Sequence, residues 1–548
     1  MLVVGAGLSG IGMAARLGQS CPDLSYAVGE AREVSGGTWD LFRYPGVRSD
    51  SDMFTLSFPF RPWTGRDSIA RGADILAYLR STSRELGVEE RIHYGCKVVR
   101  ASWSTREQCW TVELESDAGP GTDAAGAAGA AGAAGAAGAA GAAGAAGAAG
   151  GTRRAGAAGA AGGTRRAVRA AYLHVASGYY SYAAGYTPQL PGREDFDGAI
   201  VHPQTWPEDL DYAGKRVVVI GSGATAVTLV PALAPEAGHV VMLQRTPSYL
   251  FSVPGSDPVA NRLRAVLPDR LAHRAIRGKN IGTQTLLYRL SRRRPTWAKR
   301  FIMSDVKRRL PEEIVAEHFQ PPYGVWDQRL CAVPDGDFFE AVAEGSATVV
   351  TGHIDRLVPE GIRLADGRVV EADIVVTATG LQLQALGGVV LTVDGDPVRL
   401  AERFAYRGAM LSGVPNLSMT VGYVNASWTL RADLVARWVV RLLRHLRDYR
   451  LGVAVPVAPD GMRAGPIMDL TAGYVQRSVE NFPKVGDRVP WTMPQSYLHD
   501  RAAFAAADLR EDMTFLPVGS RAESVPRGAS APASLRDLRP GDAVRSTR

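Results

Sequence analysis

Two glycine-rich turns carry the first chemistry legible in this sequence. Gly5, Gly7 and Gly10 form a GxGxxG pattern directly after the apolar run Leu2–Val4 and at the start of a helical pattern reaching Leu17. In such a turn the first glycine permits the tight bend, the second lets backbone approach a pyrophosphate, and the third lets helix pack on strand. Glu30 follows the second strand at the distance where a carboxylate takes both hydroxyls of an adenosine ribose. An acid there repels a 2′-phosphate, so the first turn is expected to take FAD and not NADPH. The second turn reads VVVIGSGATAV, with Gly221, Gly223 and Ala226 in GxGxxA positions and Ser222, Ala224, Thr225 and Val227 beside them as candidate cofactor contacts. No acid ends its second strand. The sequence there is MLQRTP, which puts Arg245 and Thr246 where a guanidinium and a hydroxyl can bind a 2′-phosphate and so select NADPH. The competing reading of Arg245 is an ordinary surface arginine.

Each turn needs a strand before it and a helix after it, at Leu2–Leu17 and again at Arg216–Leu233. That alternation predicts an α/β protein with two Rossmann-like, doubly wound dinucleotide-binding domains. The expected division is 1–178 for the first part of the FAD domain, 179–372 for the NADP domain, 373–517 for the second part of the FAD domain, and 518–548 for a disordered tail. Within the NADP part, 257–319 reads as a helical and basic subdomain. Asp373–Thr377 reads as a buried strand, and Ala432–Asp448 as an amphipathic helix whose apolar face belongs to the core and not to a membrane. Between 117 and 166 AAG triplets repeat and GTRRA occurs twice. Glycine at every third position without proline lacks the rigidity of a triple helix, so a disordered loop is expected. Its flanks, Ala101–Leu114 and Ala167–Ala176, read as strands, which puts the insertion at a hairpin tip.

Composition narrows the class. With 548 residues, 46% of them hydrophobic, the chain can bury a full core and is expected to divide into two or three domains. No stretch reaches the roughly 18 apolar residues of a membrane span, so no transmembrane segment is expected and the cytoplasm is the default location. The four cysteines, Cys21, Cys96, Cys109 and Cys331, lie far apart, which gives neither a zinc spacing nor a redox pair and weighs against a disulfide reductase. The net charge of +7 reads as a solvated basic face or as attraction toward NADPH or an acidic surface; no nucleic-acid partner is expected.

Two further stretches give the constellation its family. FDGAIVHPQTWP fits FxGxxxHxxxWP through Phe196, Gly198, His202, Trp206 and Pro207. GTWDLFRYPGVRSD fits GxWxxxxYPGxxxD through Gly37, Trp39, Tyr44, Pro45, Gly46 and Asp50. With the two glycine turns in order, the chain resembles the Baeyer–Villiger flavin monooxygenases. The stretches HPQTWPEDLDY, WDQRLCAVP and VGYVNASWTLRADL resemble a thioamide-oxygenating branch of that family, over nearly the whole chain apart from the AAG insertion and the tail. The resemblance implies FAD and NADPH as cofactors, dioxygen as oxidant, and a small ketone, sulfide or thioamide as substrate. It implies that Ser9, Glu30, Thr38, Trp39, Asp40, Leu41, Asp50 and Val98 line the FAD site and that Arg48, Ser49 and Asp50 border the nicotinamide. It makes Arg329 of WDQRL the catalytic cation that stabilises negative charge on the oxygenated cofactor and the intermediate, with Asp50 orienting it. His202 is expected to be structural, at the hinge between domains, and Cys331 to be packing.

Three features depart from the family pattern. Only Leu2, Val3 and Val4 precede the first turn, so the true start lies upstream or FAD binds weakly; Gln328 stands where many ketone-oxidising relatives carry lysine; and the AAG insertion is extra. Two alternatives stay open: an enzyme acting mainly on soft sulfur or nitrogen nucleophiles, and a non-catalytic flavin- and NADP-binding redox sensor.

Overall fold

The computed structural model describes residues 1–116 and 164–520. Of the loop expected to be disordered at 117–166, residues 117–163 lie outside the described residues and 164–166 begin the strand Thr164–Ala170; of the expected tail, 521–548 lie outside them, while the main chain of Val518 and Gly519 is hydrogen-bonded to Arg450 and Gln108.

Leu2–Val4 forms a short, fully buried strand, and the chain leaves it through Gly5 at φ +99° into helix α1, Leu8–Ser20. A Cβ on Gly10 would lie 1.8 Å from the carbonyl oxygen of Gly5, so only glycine lets this helix pack against its own strand. The strand sits inside a seven-stranded sheet, flanked in parallel by Ala27–Gly29 on one side and Leu173–Val175 on the other. Ile92–His93 closes one edge, and Leu417–Met419, Met410–Leu411 and Ala405–Tyr406 extend the other. Residues from both ends of the chain therefore build one unit. Helix α2, Ala224–Leu233, follows the strand Arg216–Ile220 in a second, five-stranded sheet ordered Ala347–Thr351, His239–Gln244, Arg216–Ile220, Ile374–Thr377, Ala199–Val201, with every pair parallel. Two doubly wound units result, as the sequence predicts.

Some boundaries move. Ile374–Thr377, expected to open the second FAD part, is hydrogen-bonded between two strands of the second sheet, so that unit ends beyond 377 and not at 372. An apolar run reads the same whichever parallel sheet it joins. The expected strand Ala101–Leu114 is two antiparallel strands, Lys97–Ser104 and Cys109–Ser116, because the polar run at 105–108 turns the chain and lets Trp103 pair with Trp110 across the hairpin. The expected strand Ala167–Ala176 likewise divides, Thr164–Ala170 pairing with Cys109–Ser116 while Leu173–Val175 enters the seven-stranded sheet. Ser116 and Thr164 are in register, so the AAG segment joins two adjacent hairpin strands.

The helical stretch 257–319 lies between Leu250–Val253 and Cys331–Pro334, two strands that pair with each other, and is built mainly of α3, Asp269–Arg293, and α4, Pro295–Arg309. A buried polar latch ties it to the first unit. The Arg277 guanidinium donates to the carbonyls of Phe54, Thr55 and Ser57 at 2.8, 3.1 and 3.0 Å, while the buried Asp52 carboxylate accepts from Asn280 and Gln284 at 2.7 and 2.6 Å. Helix α5, Trp428–Asp448, turns Trp438, Val439 and Leu442 into the core, as its amphipathic pattern predicts. Among the described residues no helix is long and apolar enough to cross a membrane.

One buried histidine makes this core sensitive to acid. His174 is fully buried in the seven-stranded sheet, with Nδ1 at 2.8 Å from the Ser418 hydroxyl and Nε2 at 3.2 Å from that of Thr420, and burial pushes its pKa down to about 3. The unfolded chain then holds more protons than the folded one between the ordinary histidine value and about 3, so stability falls as pH drops through that window. Unfolding by urea at about pH 7.5 and 5.5 should show a loss that is smaller in His174→Gln by roughly 1 kcal/mol, the linkage expected for about one pH unit below the free histidine pKa. Equal losses in both proteins would contradict this assignment.

Candidate active site

A single cavity of about 1040 Å³ runs from the first glycine turn to the N-terminus of α2 and out toward α3 and α4. Gly5, Gly7, Ser9, Glu30, Gly37, Thr38, Trp39, Leu41, Arg48, Ser49, Asp50, Val98, Ala224, Thr225 and Arg329 all line it, so most of the residues singled out from the sequence meet there. Gly37 has φ +56°, and a Cβ on it would come within 2.9 Å of Gly7 Cα. The two motifs are thus in backbone contact, and Gly37 tolerates no side chain at that point.

The fit to a dinucleotide is testable on these atoms. Helix α1 has Gly7 as its N-cap and so no side-chain cap, which leaves its first N–H groups free at the cavity end of the turn. Glu30 is buried and is fixed by the main-chain N–H groups of Ala6 at 2.6 Å and Arg32 at 3.0 Å, one to each oxygen. Each oxygen keeps a free lone pair for a ribose hydroxyl. These features fit an adenosine diphosphate half with an unmodified ribose. At the second turn Gly221 adopts φ +136°, and a Cβ on Gly223 would meet nothing within 4 Å, so the front of the turn is open. Arg245 is exposed and has no ion-pair partner among the described residues, while its neighbour Gln244 is buried against His318 and Thr351. A free guanidinium at this place fits a 2′-phosphate.

Several candidates do other work. Gly10 serves packing. Asp40 is buried away from the cavity wall, with Arg32 at 2.6 Å and Arg80 at 2.7 Å from its carboxylate, so it fixes the Gly37–Leu41 turn from behind. Ala226 and Val227 face the sheet and are fully buried, because helical periodicity points them inward. Ser222 donates to the Thr246 carbonyl at 2.9 Å, which ties the turn to the end of the next strand. Gly221, Ser222, Gly223, Arg245 and Thr246 stand outside the central cavity wall. Arg48 lines the cavity but pairs with Asp337 across the two units.

Arg329 occupies the meeting point of the units. Its guanidinium donates to Asp50 at 3.1 Å and to the Tyr179 hydroxyl at 2.9 Å, and its Nε–H is buried with no hydrogen-bond partner. The Tyr179 oxygen foremost, then those of Tyr474, Tyr180 and Asp50, raise its pKa above the ordinary arginine value against the effect of burial. The cation is permanent. Asp50 is half exposed, whereas Tyr179 is buried, stacked on Trp428 at 5.0 Å and 2.8 Å from the Tyr180 hydroxyl. Trp428 in turn donates to Ser9 at 2.7 Å, so a chain of contacts joins the first glycine turn to Arg329. Tyr179, Tyr180, Tyr474 and Trp428 were not singled out from the sequence. The available signal was SGYYSY directly after the parallel strand Leu173–Val175, since ligands bind at the carboxyl ends of such strands.

His202 accepts from the Gln204 N–H at 3.1 Å and has Nε2 3.3 Å from the Gly380 carbonyl, and burial lowers its pKa. Neutral and held on both nitrogens by backbone, it acts structurally. It borders two connections between the units, which run side by side: Ser181 N–H donates to Gln382, Gln384 N–H to Tyr179, and Tyr186 N–H to Gly380. Cys331 is buried with its thiol pushed up to about 12, so it stays protonated and packs.

The geometry defines a two-nucleotide flavoprotein oxidoreductase with a fixed cation between its cofactor units. Comparison with known proteins agrees. The model of the flavin-binding monooxygenase-like family matches residues 157–302. FAD-containing monooxygenase EthA of Mycobacterium tuberculosis is 46% identical over 91% of this chain and 94% of its own, and EthA of Mycolicibacterium smegmatis is 44% identical over 91% and 93%. A crystal structure of oxidized steroid monooxygenase bound to NADP has the same fold, with TM-score 0.67 and 20% identity over 94% of this chain and 99% of that one. The chain belongs to the FAD-containing monooxygenase family, and it is an oxidoreductase of that kind.

Tyr179→Phe removes one acceptor from Arg329 while leaving the ring stack in place. Oxygenated product per dioxygen consumed should fall about tenfold, the effect of roughly 1.4 kcal/mol for a hydrogen bond to a charged group, with FAD content unchanged. An unaltered yield would show that Asp50 alone positions the guanidinium.

Proposed function

We propose that this chain is an NADPH-dependent Baeyer–Villiger monooxygenase, which inserts one oxygen atom of dioxygen beside a ketone carbonyl to give an ester or lactone. The observation that carries the reading is the Arg329 guanidinium, held by Asp50 and Tyr179 in the cavity that runs from the first glycine turn to the N-terminus of α2. FAD belongs at the first turn, with Gly5, Gly7 and Ser9 at the pyrophosphate, Gly10 packing the helix on its strand behind them, Glu30 on the ribose, and Gly37, Thr38, Trp39, Leu41, Asp50 and Val98 along its length; Asp40 supports them from behind. NADPH belongs at the second, with Gly221 to Val227 shaping the turn, Arg245 and Thr246 on the 2′-phosphate, and Arg48 and Ser49 near the nicotinamide. Its assignment is supported by the solved steroid monooxygenase, which is described as bound to NADP.

When bound, FAD supplies reduction by NADPH and activation of dioxygen. Arg329 places a cation that cannot surrender a proton where negative charge develops, which lowers the energy of that charge without quenching it. Asp50 and Tyr179 orient the fork, and Tyr179 is itself held by its stack on Trp428 and by the Tyr180 hydroxyl. Oxygenation of sulfides and thioamides is the second reading, supported by the resemblance of HPQTWPEDLDY and VGYVNASWTLRADL to the thioamide-oxygenating branch.

FAD-loaded protein given NADPH and phenylacetone should form the ester, identified by gas chromatography, whereas Arg329→Ala should still oxidise NADPH yet form none. Ester from that variant at the native yield would remove Arg329 from the chemistry. Arg245→Ala should lower kcat/KM for NADPH by about 10- to 100-fold, as expected for loss of a charge-assisted contact, with NADH little affected. A parallel loss with both nucleotides would contradict the 2′-phosphate assignment.

A further inference from the structure

The helices α3 and α4 have a surface that the chemistry above leaves unexplained. Between Asp269 and Asp305 the sequence contains ten lysines and arginines and no acid, which exceeds the net charge of +7 for the entire chain. Four of these cations are engaged: Arg277 on buried carbonyls, Lys279 with Asp257, Arg292 toward Asp327, and Lys299 at 3.5 Å from the Pro321 carbonyl. Arg289, Arg293, Arg294 and Arg300, grouped where the two helices meet, are exposed and have no ion pair among the described residues, and the same holds for Arg270 and Arg274.

Large apolar side chains share this face. On α3, Leu271, Arg274, Gly278, Gly282, Leu286 and Arg289 follow one another at three- and four-residue steps, which makes them one outward stripe. Leu271 is 52% exposed and Leu286 65%, and a Cβ on Gly278 or Gly282 would meet nothing within 4 Å. On α4, Trp297 and Phe301 are 43% and 45% exposed and stack on each other at 5.3 Å. Leu287, Trp297 and Phe301 also line the cavity, so its outer end opens on this face.

We propose that the outward face of α3 and α4 docks on an anionic lipid bilayer, with the cations at the headgroups and Leu271, Leu286, Trp297 and Phe301 in the acyl boundary. A helix of 25 residues is about 37 Å long and lies along an interface without crossing it. Charge complementarity alone would also suit a nucleic acid. The interleaved leucines, tryptophan and phenylalanine decide for lipid, because a phosphate backbone offers them no apolar volume and a bilayer does. Opening of the cavity between those side chains gives apolar substrates dissolved in the membrane a direct path to Arg329.

The test is flotation of the full-length, FAD-loaded chain with vesicles of phosphatidylcholine alone or with about one third phosphatidylglycerol. The chain should float with the anionic vesicles only, and less of it at high salt. Arg289→Glu with Arg293→Glu should weaken that association at least about tenfold, since each basic residue near an anionic surface contributes substantially. Leu286→Ser should weaken it as well, with the salt dependence kept, and provides the answer should the double variant fail to fold. Flotation with neither vesicle, equal flotation with both, unchanged flotation of these variants, or displacement of the anionic vesicles by equimolar duplex DNA would each overturn the proposal.

Discussion

A guanidinium in a cavity imposes conditions on everything around it. It stays charged at any pH the protein meets, so the surrounding groups can only choose where it sits and how much water reaches it. Arg329 meets that constraint with one carboxylate, one buried phenol and an Nε–H left unbonded. Asp50 comes from the first unit and Arg329 from the stretch that returns from the helical insert to the second unit, so the pair forms only when both units are folded and docked. Arg48 with Asp337, and Arg277 on the carbonyls after Asp52, repeat the arrangement at the borders. The units are held together by arginines that cross from one to the other, and the active cation is one of them.

Legibility from sequence followed how local each physical requirement is. Gly5, Gly10 and Gly221 answer to backbone geometry within a few residues, so spacing alone exposes them. Arg329 came through resemblance to a family, as no local pattern distinguishes it from the many other arginines of this chain. Tyr179 and Trp428 share a stack although about half the chain separates them in sequence, and no periodicity links such residues. Asp40 shows the opposite failure: its motif places it in the site, yet Arg32 and Arg80 turn its carboxylate to the back of the turn. Ala226 and Val227 fall within the motif window but lie on the face of α2 that meets the sheet. The run Ile374–Thr377 reads as a strand in the sequence but not as part of the second sheet, because strand order in a parallel sheet leaves no trace in the strand itself.

Two amphipathic helices, α3 and α5, make an instructive contrast. Both alternate apolar and basic residues at helical spacing, and only the packing partner separates them. The stripe of α5 is covered by α1 and the strands beyond it, whereas among the described residues the outward stripe of α3 is bare. Basic amphipathicity in sequence therefore fixes the existence of a face and leaves its occupant to topology.

The paired connections between the units have a mechanical consequence. Two chains hydrogen-bonded side by side, as at Tyr179–Tyr186 and Gly380–Gln384, form a ribbon that bends across its plane more readily than it shears within it. Any rotation of one unit against the other would have to bend this ribbon. Tyr179 is itself a residue of that ribbon and touches Arg329, so the same bend that opens the gap between cofactor units also draws on the contact that positions the cation. The ribbon works as a leaf spring with the reacting centre mounted on it.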